Sequence, residues 1–331
     1  MKAAFFCDRP ETVDSVYGDG RKEAVAALTD LYPEIITSEN LAQHLPHLHD
    51  LEVIFSTWGM FVPTDEQFEA MPNLKCVFYA ASSVRRFAEP FLRRGIQVMT
   101  AGVANGTSVA EFTLAQILLA NKGYFQNARA ATSLKNRSNW PRQLYTGNFE
   151  QSVSLLGAGM IGRKVIELLR PFALNVRVYD PFLSEEEARV LGVEKVDLLT
   201  AFASSSVVSN HVANLPETQG IFRREHFASM QLGATFINTG RGAQIVESEM
   251  IEVLRNRPDL TALLDVTFPE PPVEGSPLYE LPNVFLSNHI AGAYAHELWR
   301  MADFCLEECE RFGRGEPLRW GVTLERLKHM A

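Results

Sequence analysis

Residues 152–162 read Ser-Val-Ser-Leu-Leu-Gly-Ala-Gly-Met-Ile-Gly, and residues 163–170 continue as Arg-Lys-Val-Ile-Glu-Leu-Leu-Arg. The apolar run Val153–Leu156 predicts a buried strand, and residues 163–170 predict a helix, with glycines at 157, 159 and 162 between them. In this G-x-G-x-x-G spacing, Gly157 permits a tight turn, Gly159 lets the backbone approach a pyrophosphate, and Gly162 lets helix and strand pack closely. The helix start, with Met160 and Ile161 inside the motif, offers N–H donors and partial positive charge to an anion. A second strand, Val176–Tyr179, ends in Asp180, eighteen residues beyond Gly162. An acidic side chain there accepts hydrogen bonds from a ribose diol and repels a 2′-phosphate, which points to NAD rather than NADP. A glycine turn without a ligand and a Rossmann-type methyltransferase are the other readings of this pattern.

Working outward, short apolar runs alternate with helical patterns along the chain: Lys2–Phe6, Glu52–Phe55, Leu74–Tyr79, Ser206–Ser209, Thr235–Asn238, Thr261–Leu264 and Val284–Leu286. Continuous rather than alternating runs predict parallel strands buried on both faces. The expected fold class is therefore α/β. A long helix is predicted over Ser108–Phe125, apolar nearly all round, which requires burial in a large core or against another subunit. The stretches Thr100–Ser108 and Asn288–Ala295, rich in small residues, read as domain junctions. They predict a discontinuous domain of residues 1–101 with 294–331, and a central domain of residues 102–293.

At ~150 residues per domain, 331 residues also suggest two domains. The 31 Lys and Arg against 40 Asp and Glu give a net charge of -9, which argues against nucleic acid or an anionic membrane as partner. No run approaches the ~20 apolar residues of a membrane span, and Ala3–Cys7 is too short and badly flanked for a signal peptide. A cytoplasmic location is expected. Cys7, Cys76, Cys305 and Cys309 lack metal-ligand spacing and read as buried thiols. His44, His47 and His49, interrupted by Pro46, read as a polar loop, so no metal site is expected.

Further segments begin at strand ends, where ligands sit in an open parallel sheet: Asn238–Gly242, Asp265–Pro271 and Ser287–Gly292. They deliver Arg241, Glu270 and His289 to one edge. Arginine clamps a carboxylate in bidentate fashion, imidazole exchanges protons near neutral pH, and a carboxylate beside it orients the ring. Taken singly, each also has a structural reading: a loop charge, a solvated turn carboxylate and a strand-end histidine.

The stretches LLGAGMIGRKV (155–165), VYDPF (178–182), NHVANLPETQGIF (210–222), INTGRGAQIVE (237–247), LLDVTFPEPP (263–272) and SNHIAGA (287–293) occur in an order and spacing that resembles the NAD-dependent D-isomer-specific 2-hydroxyacid dehydrogenases. The resemblance covers essentially the whole chain. It implies two Rossmann-like or flavodoxin-like domains, the chain ends binding substrate and the middle binding NAD, with the active site in the cleft between them. Arg241 would bind the substrate carboxylate and polarise its carbonyl. His289 would exchange a proton with the substrate oxygen, and Glu270 would hold that histidine. Asp265 and the Thr239–Gly240 backbone would meet the nicotinamide side, Val212 the adenosine-side ribose, and Gly292 would complete the cofactor site with His289 and Arg241. Homodimerisation through the 108–125 helix is likewise implied.

The chain departs from the family at the loop that receives the substrate carboxylate, usually glycine-rich and followed by Asp-Asn. Here it reads Ala80-Ala81-Ser82-Ser83-Val84-Arg85-Arg86. Ala81, Ser82 and Ser83 are the candidate substrate contacts. Arg85 and Arg86 read either as anchors for a second anionic group or as solvated charges. The segment after His211 lacks a proline common in the family, and His211 itself reads as structural. Trp58, Tyr294, His296 and Trp299 favour glyoxylate, hydroxypyruvate or a sugar-acid-like substrate over an aliphatic one. The alternatives are an NAD(H)-binding sensor or scaffold without turnover, and oxidation of a non-carbonyl substrate such as phosphite. Formate oxidation is disfavoured, because formate-oxidising relatives generally carry Gln where Glu270 stands.

Overall fold

The computed structural model describes residues 1–131, 145 and 147–328. It divides into two compact units, Met1–Gly106 with Ala293–Ala331, and Thr107–Gly292. In the first unit, strands β1 (Lys2–Phe5), β2 (Asp30–Leu31), β3 (Val53–Ser56), β4 (Cys76–Tyr79), β5 (Gln97–Thr100) and β13 (Gly321–Val322) form one sheet in the order β13-β5-β4-β3-β1-β2. All pairings are parallel except β13 with β5. Ile54, Val77 and Val98 enter one core cluster while Phe55, Phe78 and Met99 enter another. The sheet thus buries both faces, which explains why its strands read as unbroken apolar runs.

In the second unit, β6 (Ser152–Leu156), β7 (Asn175–Tyr179), β8 (Glu194–Lys195), β9 (Val207–Asn210), β10 (Thr235–Asn238), β11 (Thr261–Leu264) and β12 (Val284–Leu286) form an all-parallel sheet in the order β12-β11-β10-β9-β6-β7-β8. The strand order reverses between β6 and β9, the switch point at which ligands bind in such sheets.

Every run expected to be a strand is one. Strands β2, β5, β8 and β13 were not expected, being two to four residues long with partly exposed or polar positions. The long helix, α1, spans Gly102–Asn121 rather than Ser108–Phe125. The stretch read as a junction starts the helix because the Thr100 hydroxyl accepts the Gly102 N–H at 3.2 Å, capping the first turn. Past Asn121 the chain turns through Gly123 at φ 64°, and a separate helix covers Tyr124–Ala130. Nor is α1 wholly buried: Glu111, Ala115 and Leu119, four residues apart, form an exposed stripe. The helix after the glycine motif, α2 (Met160–Leu169), starts earlier than residue 163, so Met160 and Ile161 lie within its first turn.

Cys7, Cys76, Cys305 and Cys309 are free and buried in the first unit, and burial raises Cys309 to about 11. His44 lies 2.9 Å from the Tyr32 hydroxyl and 3.4 Å from Glu34. No helix among the described residues is long and apolar enough to cross a membrane.

One face of the second sheet is built on aromatics: Phe236 of β10 meets Phe202 at 5.8 Å and Phe227 at 5.2 Å between ring centres, and all three are buried. Deleting a buried phenyl ring leaves a cavity that costs about 3–5 kcal/mol. Phe236→Ala is expected to destabilise the second unit by that amount, seen as a lower urea midpoint for its unfolding transition.

Candidate active site

The glycine turn sits at the switch point because sterics allow nothing larger. Gly157 adopts φ 101°, and a Cβ there would lie 2.7 Å from the His211 carbonyl oxygen in the loop after β9. A Cβ on Gly162 would lie 2.0 Å from the Gly157 carbonyl. Gly159 differs, since a Cβ on it meets nothing within 4 Å, so its backbone borders open space. Beyond it α2 begins with no capping side chain and no acid in its first turn. That combination suits the pyrophosphate of a dinucleotide. Met160 is 45% exposed beside this space, whereas Ile161 packs against the core.

Asp180 ends β7 and ties the turn together. One carboxylate oxygen accepts the Ala158 N–H at 2.7 Å, and the other accepts the Phe182 N–H at 2.8 Å. A carboxylate has about four acceptor sites, so lone pairs remain for a ribose diol. The residues present therefore fit NAD.

Arg241, Glu270 and His289 follow β10, β11 and β12, three neighbours in the sheet, and all stand at the carboxyl edge. His289 Nδ1 lies 2.6 Å from Glu270 Oε1. A carboxylate beside one ring nitrogen orients the imidazole and leaves Nε2 as the nitrogen not engaged by Glu270. The side chains are 46% and 39% exposed. Arg241 is half-buried, and one of its Nη atoms donates to the Gly240 carbonyl at 2.7 Å. A Cβ on Gly242 would fall 2.0 Å from the Thr267 carbonyl carbon, so only glycine lets the Arg241 loop lie against the segment leading to Glu270. Burial raises the Glu247 carboxyl above its usual value, opposed by a hydrogen bond from the Phe268 N–H of that segment.

Asp265, expected to meet the nicotinamide side, directly follows β11. It is 2% exposed. One of its oxygens accepts the Ser287 hydroxyl at 2.6 Å and the Ile290 N–H at 2.9 Å, and the other accepts the Ala291 N–H at 2.9 Å. Its backbone carbonyl accepts the His289 N–H at 3.0 Å. These bonds hold His289 at φ 55°, a left-handed conformation that side chains with a Cβ avoid. Asp265 therefore positions the histidine. Gly292 follows this turn and is half-buried.

Thr239 is buried with its hydroxyl 3.4 Å from that of Thr113. Val212 packs on the core and donates its N–H to Asn210. In the first unit, Ala81 lies two residues beyond β4, with its side chain in the core and its carbonyl accepting from Thr100. It has only its remaining backbone to offer. Ser82 is half-buried and Ser83 exposed. Arg85 and Arg86 are exposed, with no ion-pair partner among the described residues. Trp299 stacks on His296 at 4.1 Å and lies 5.1 Å from the Arg21 guanidinium, which makes it packing. Tyr294 is 70% exposed.

Sequence reasoning missed Asn210, Asn238 and Gln244, fully buried polar side chains beneath the Arg241 loop. The signal available was polarity at the last residue of two apolar strands, which a buried position tolerates only with partners.

Residues 114–291 match the model of the D-isomer specific 2-hydroxyacid dehydrogenase NAD binding domain. The chain belongs to the D-isomer specific 2-hydroxyacid dehydrogenase family. Among curated relatives of this dehydrogenase family, it is 30% identical over 292 residues to D-3-phosphoglycerate dehydrogenase of Bacillus subtilis, covering 87% of this chain and 54% of that protein. The chain spans about half the length of the curated relatives at the head of that comparison. Its fold is similar to that of a phosphoglycerate oxidoreductase from Rhizobium etli, with TM-score 0.80, 24% identity and 98% of each chain covered. It is also similar to the NAD-complexed D-isomer specific 2-hydroxyacid dehydrogenase of Lactobacillus delbrueckii, with TM-score 0.76, 20% identity, and 98% of this chain and 100% of that one covered.

His211, behind the glycine turn, shares a 2.9 Å hydrogen bond with Ser209. Desolvation lowers its pKa from 6.5 to about 4. The unfolded chain takes up a proton that the folded chain refuses, so stability is fullest above 6.5 and is lost as pH falls toward 4. Replacing the ring by an uncharged amide in His211→Asn is expected to shrink the fall in Tm between pH 7 and pH 5, as followed by calorimetry.

Proposed function

We propose that the protein is an NAD-dependent dehydrogenase interconverting a D-2-hydroxyacid and its 2-keto acid. The observation that carries this reading is the His289–Glu270 pair, 2.6 Å apart at a strand end neighbouring the Arg241 loop. NAD(H), when bound, supplies the hydride acceptor or donor. The arginine, histidine and glutamate perform the remaining tasks. The Arg241 guanidinium, with donors left over beyond its bond to Gly240, clamps the substrate carboxylate and polarises the carbonyl. His289 delivers a proton from Nε2 to the carbonyl oxygen during reduction and takes one from the hydroxyl during oxidation. Glu270 accepts Nδ1–H in both directions, fixing the ring and stabilising it when both nitrogens are protonated.

Gly157, Gly159, Met160, Ile161 and Gly162 would cradle the pyrophosphate, and Asp180 would take the ribose diol. Thr239, Gly240 and Gly292 would border the nicotinamide side, and Val212 the adenosine side. Ser82 and Ser83 would contribute to substrate binding. Exposed Trp58 and Tyr294 support a short, hydroxylated acid such as glyoxylate or hydroxypyruvate, or a sugar acid. The unpaired Arg85 and Arg86 support activity on acids with a second anionic group. The exposed 111/115/119 stripe of α1 supports pairing with a second copy, and the protein would act in the cytoplasm.

NADH oxidation against 2-keto acids, from glyoxylate and hydroxypyruvate to branched and phosphorylated acids, tests this directly. His289→Ala is expected to lower kcat by about 100-fold or more, the usual scale for a general acid, with NADH affinity nearly unchanged by fluorescence titration. An unaltered kcat refutes the role of His289. NADH binding without turnover of any acid favours a sensor, and reduction of NAD by phosphite favours the non-carbonyl reading. Separately, Asp180→Ala is expected to narrow the preference for NADH over NADPH in kcat/KM, because the ribose acceptor and the repulsion of a 2′-phosphate disappear together. A preference for NADPH in the unaltered protein would refute that reading of Asp180.

A further inference from the structure

Gln244 is fully buried, one turn beyond Arg241, and uses both ends of its amide. Its Oε1 accepts from Asn210 Nδ2 at 2.7 Å and from the Arg241 N–H at 3.2 Å. Its Nε2 donates to the carbonyls of Val212 at 2.8 Å and Ala213 at 3.1 Å. Asn210 also donates to Asn238 Oδ1 at 2.9 Å, and its own Oδ1 accepts the Val212 N–H at 3.0 Å. Asn238 in turn accepts the Gly240 N–H at 3.0 Å and donates to the Arg241 carbonyl at 3.2 Å. Both backbone groups of Arg241 are therefore held by side-chain amides, and the same amides hold the loop after β9.

We propose that Gln244 is a positioning residue that locks the Arg241 loop to the 211–213 loop, so that the guanidinium and the cofactor-side loop are placed as one unit. This rests on the dehydrogenase reading above. The argument is one of saturation. An amide has two donors and two acceptor sites, and in Gln244 all four are engaged: both donors with the 211–213 loop, one acceptor site with Asn210 at the end of β9, and the other with the Arg241 N–H. The site is also tight on the Gly240 side: a Cβ on Gly240 would lie 2.7 Å from Asn210 Nδ2 and 3.1 Å from Gln244 Oε1. Removing the Gln244 amide leaves the Arg241 N–H, Asn210 Nδ2 and the Val212 and Ala213 carbonyls without this partner, so a loss confined to one loop is not expected.

The test uses Gln244→Met, close in volume but without the polar ends, in the full-length chain. Hydrogen exchange read by mass spectrometry is expected to quicken at least tenfold both in peptides covering 211–215 and in peptides covering 239–246. Quickening in one of them alone overturns the lock, and this readout does not depend on turnover. At saturating NADH, KM for the best 2-keto acid is expected to rise at least tenfold with a smaller change in kcat. In an Arg241→Lys background the same change is expected to cost less than threefold, because the clamp it positions is already lost. Equal losses in both backgrounds, or none in either, overturn the proposal. If Gln244→Met does not fold, Gln244→Glu serves: it keeps an acceptor for Asn210 and Arg241 and turns the donor end into an oxygen facing two carbonyls. It is expected to show the same paired quickening, and unchanged exchange in both loops overturns the proposal. An unaltered protein that turns over no keto acid is the failure of the dehydrogenase reading, and the exchange measurement then still decides the lock.

Discussion

A buried parallel sheet ends in backbone and side-chain polar groups that water does not reach, and each must find a partner or cost free energy. At the carboxyl edge of the second sheet, side-chain amides and carboxylates meet this demand. Asp180 closes the glycine turn, Asn210, Asn238 and Gln244 close the loops after β9 and β10, and Asp265 closes the turn that carries His289. Arg241 stands three residues from both Asn238 and Gln244, and His289 donates its own N–H to the Asp265 carbonyl. Arg241 and His289 are thus placed by hydrogen bonds made beneath them. That explains how His289 holds a left-handed backbone that its own side chain disfavours.

Much of this was legible in the sequence, for reasons that differ between residues. The glycine turn was legible because its cause is steric and local: Gly157 and Gly162 leave no room for a Cβ. The strands were legible because burial on both faces makes unbroken apolar runs. Arg241, Glu270 and His289 were legible because each follows such a run in a pattern that resembles a known family. The 2.6 Å approach of His289 to Glu270 needs the register of β11 and β12, and spacing alone does not supply it.

What was not legible depended on partners distant in sequence. Nothing near Asp265 in sequence indicates that its oxygens accept from residues more than twenty positions away. Gln244 carries no signal in the sequence, because nothing local indicates that it reaches back to Val212 and Ala213. The start of α1 at Gly102 was hidden by glycine and asparagine, which disfavour helix in isolation, while the Thr100 cap lies outside the helix. Short edge strands such as β13 carry too few buried residues to show a pattern at all.

The two carboxylates at the second sheet make opposite use of the same chemistry. Asp265 accepts three hydrogen bonds and is 2% exposed, so most of its acceptor capacity goes to shaping the protein. Asp180 accepts two, remains half-buried, and keeps acceptor sites for a ligand. The same oxygen that holds Ala158, in the glycine turn, belongs to the carboxylate that would meet a ribose. A change in how Asp180 is engaged is therefore transmitted directly to the backbone around the pyrophosphate. If Asp180 takes the ribose as proposed, recognition of the sugar and of the phosphates would be one interaction shared by two loops rather than two independent ones.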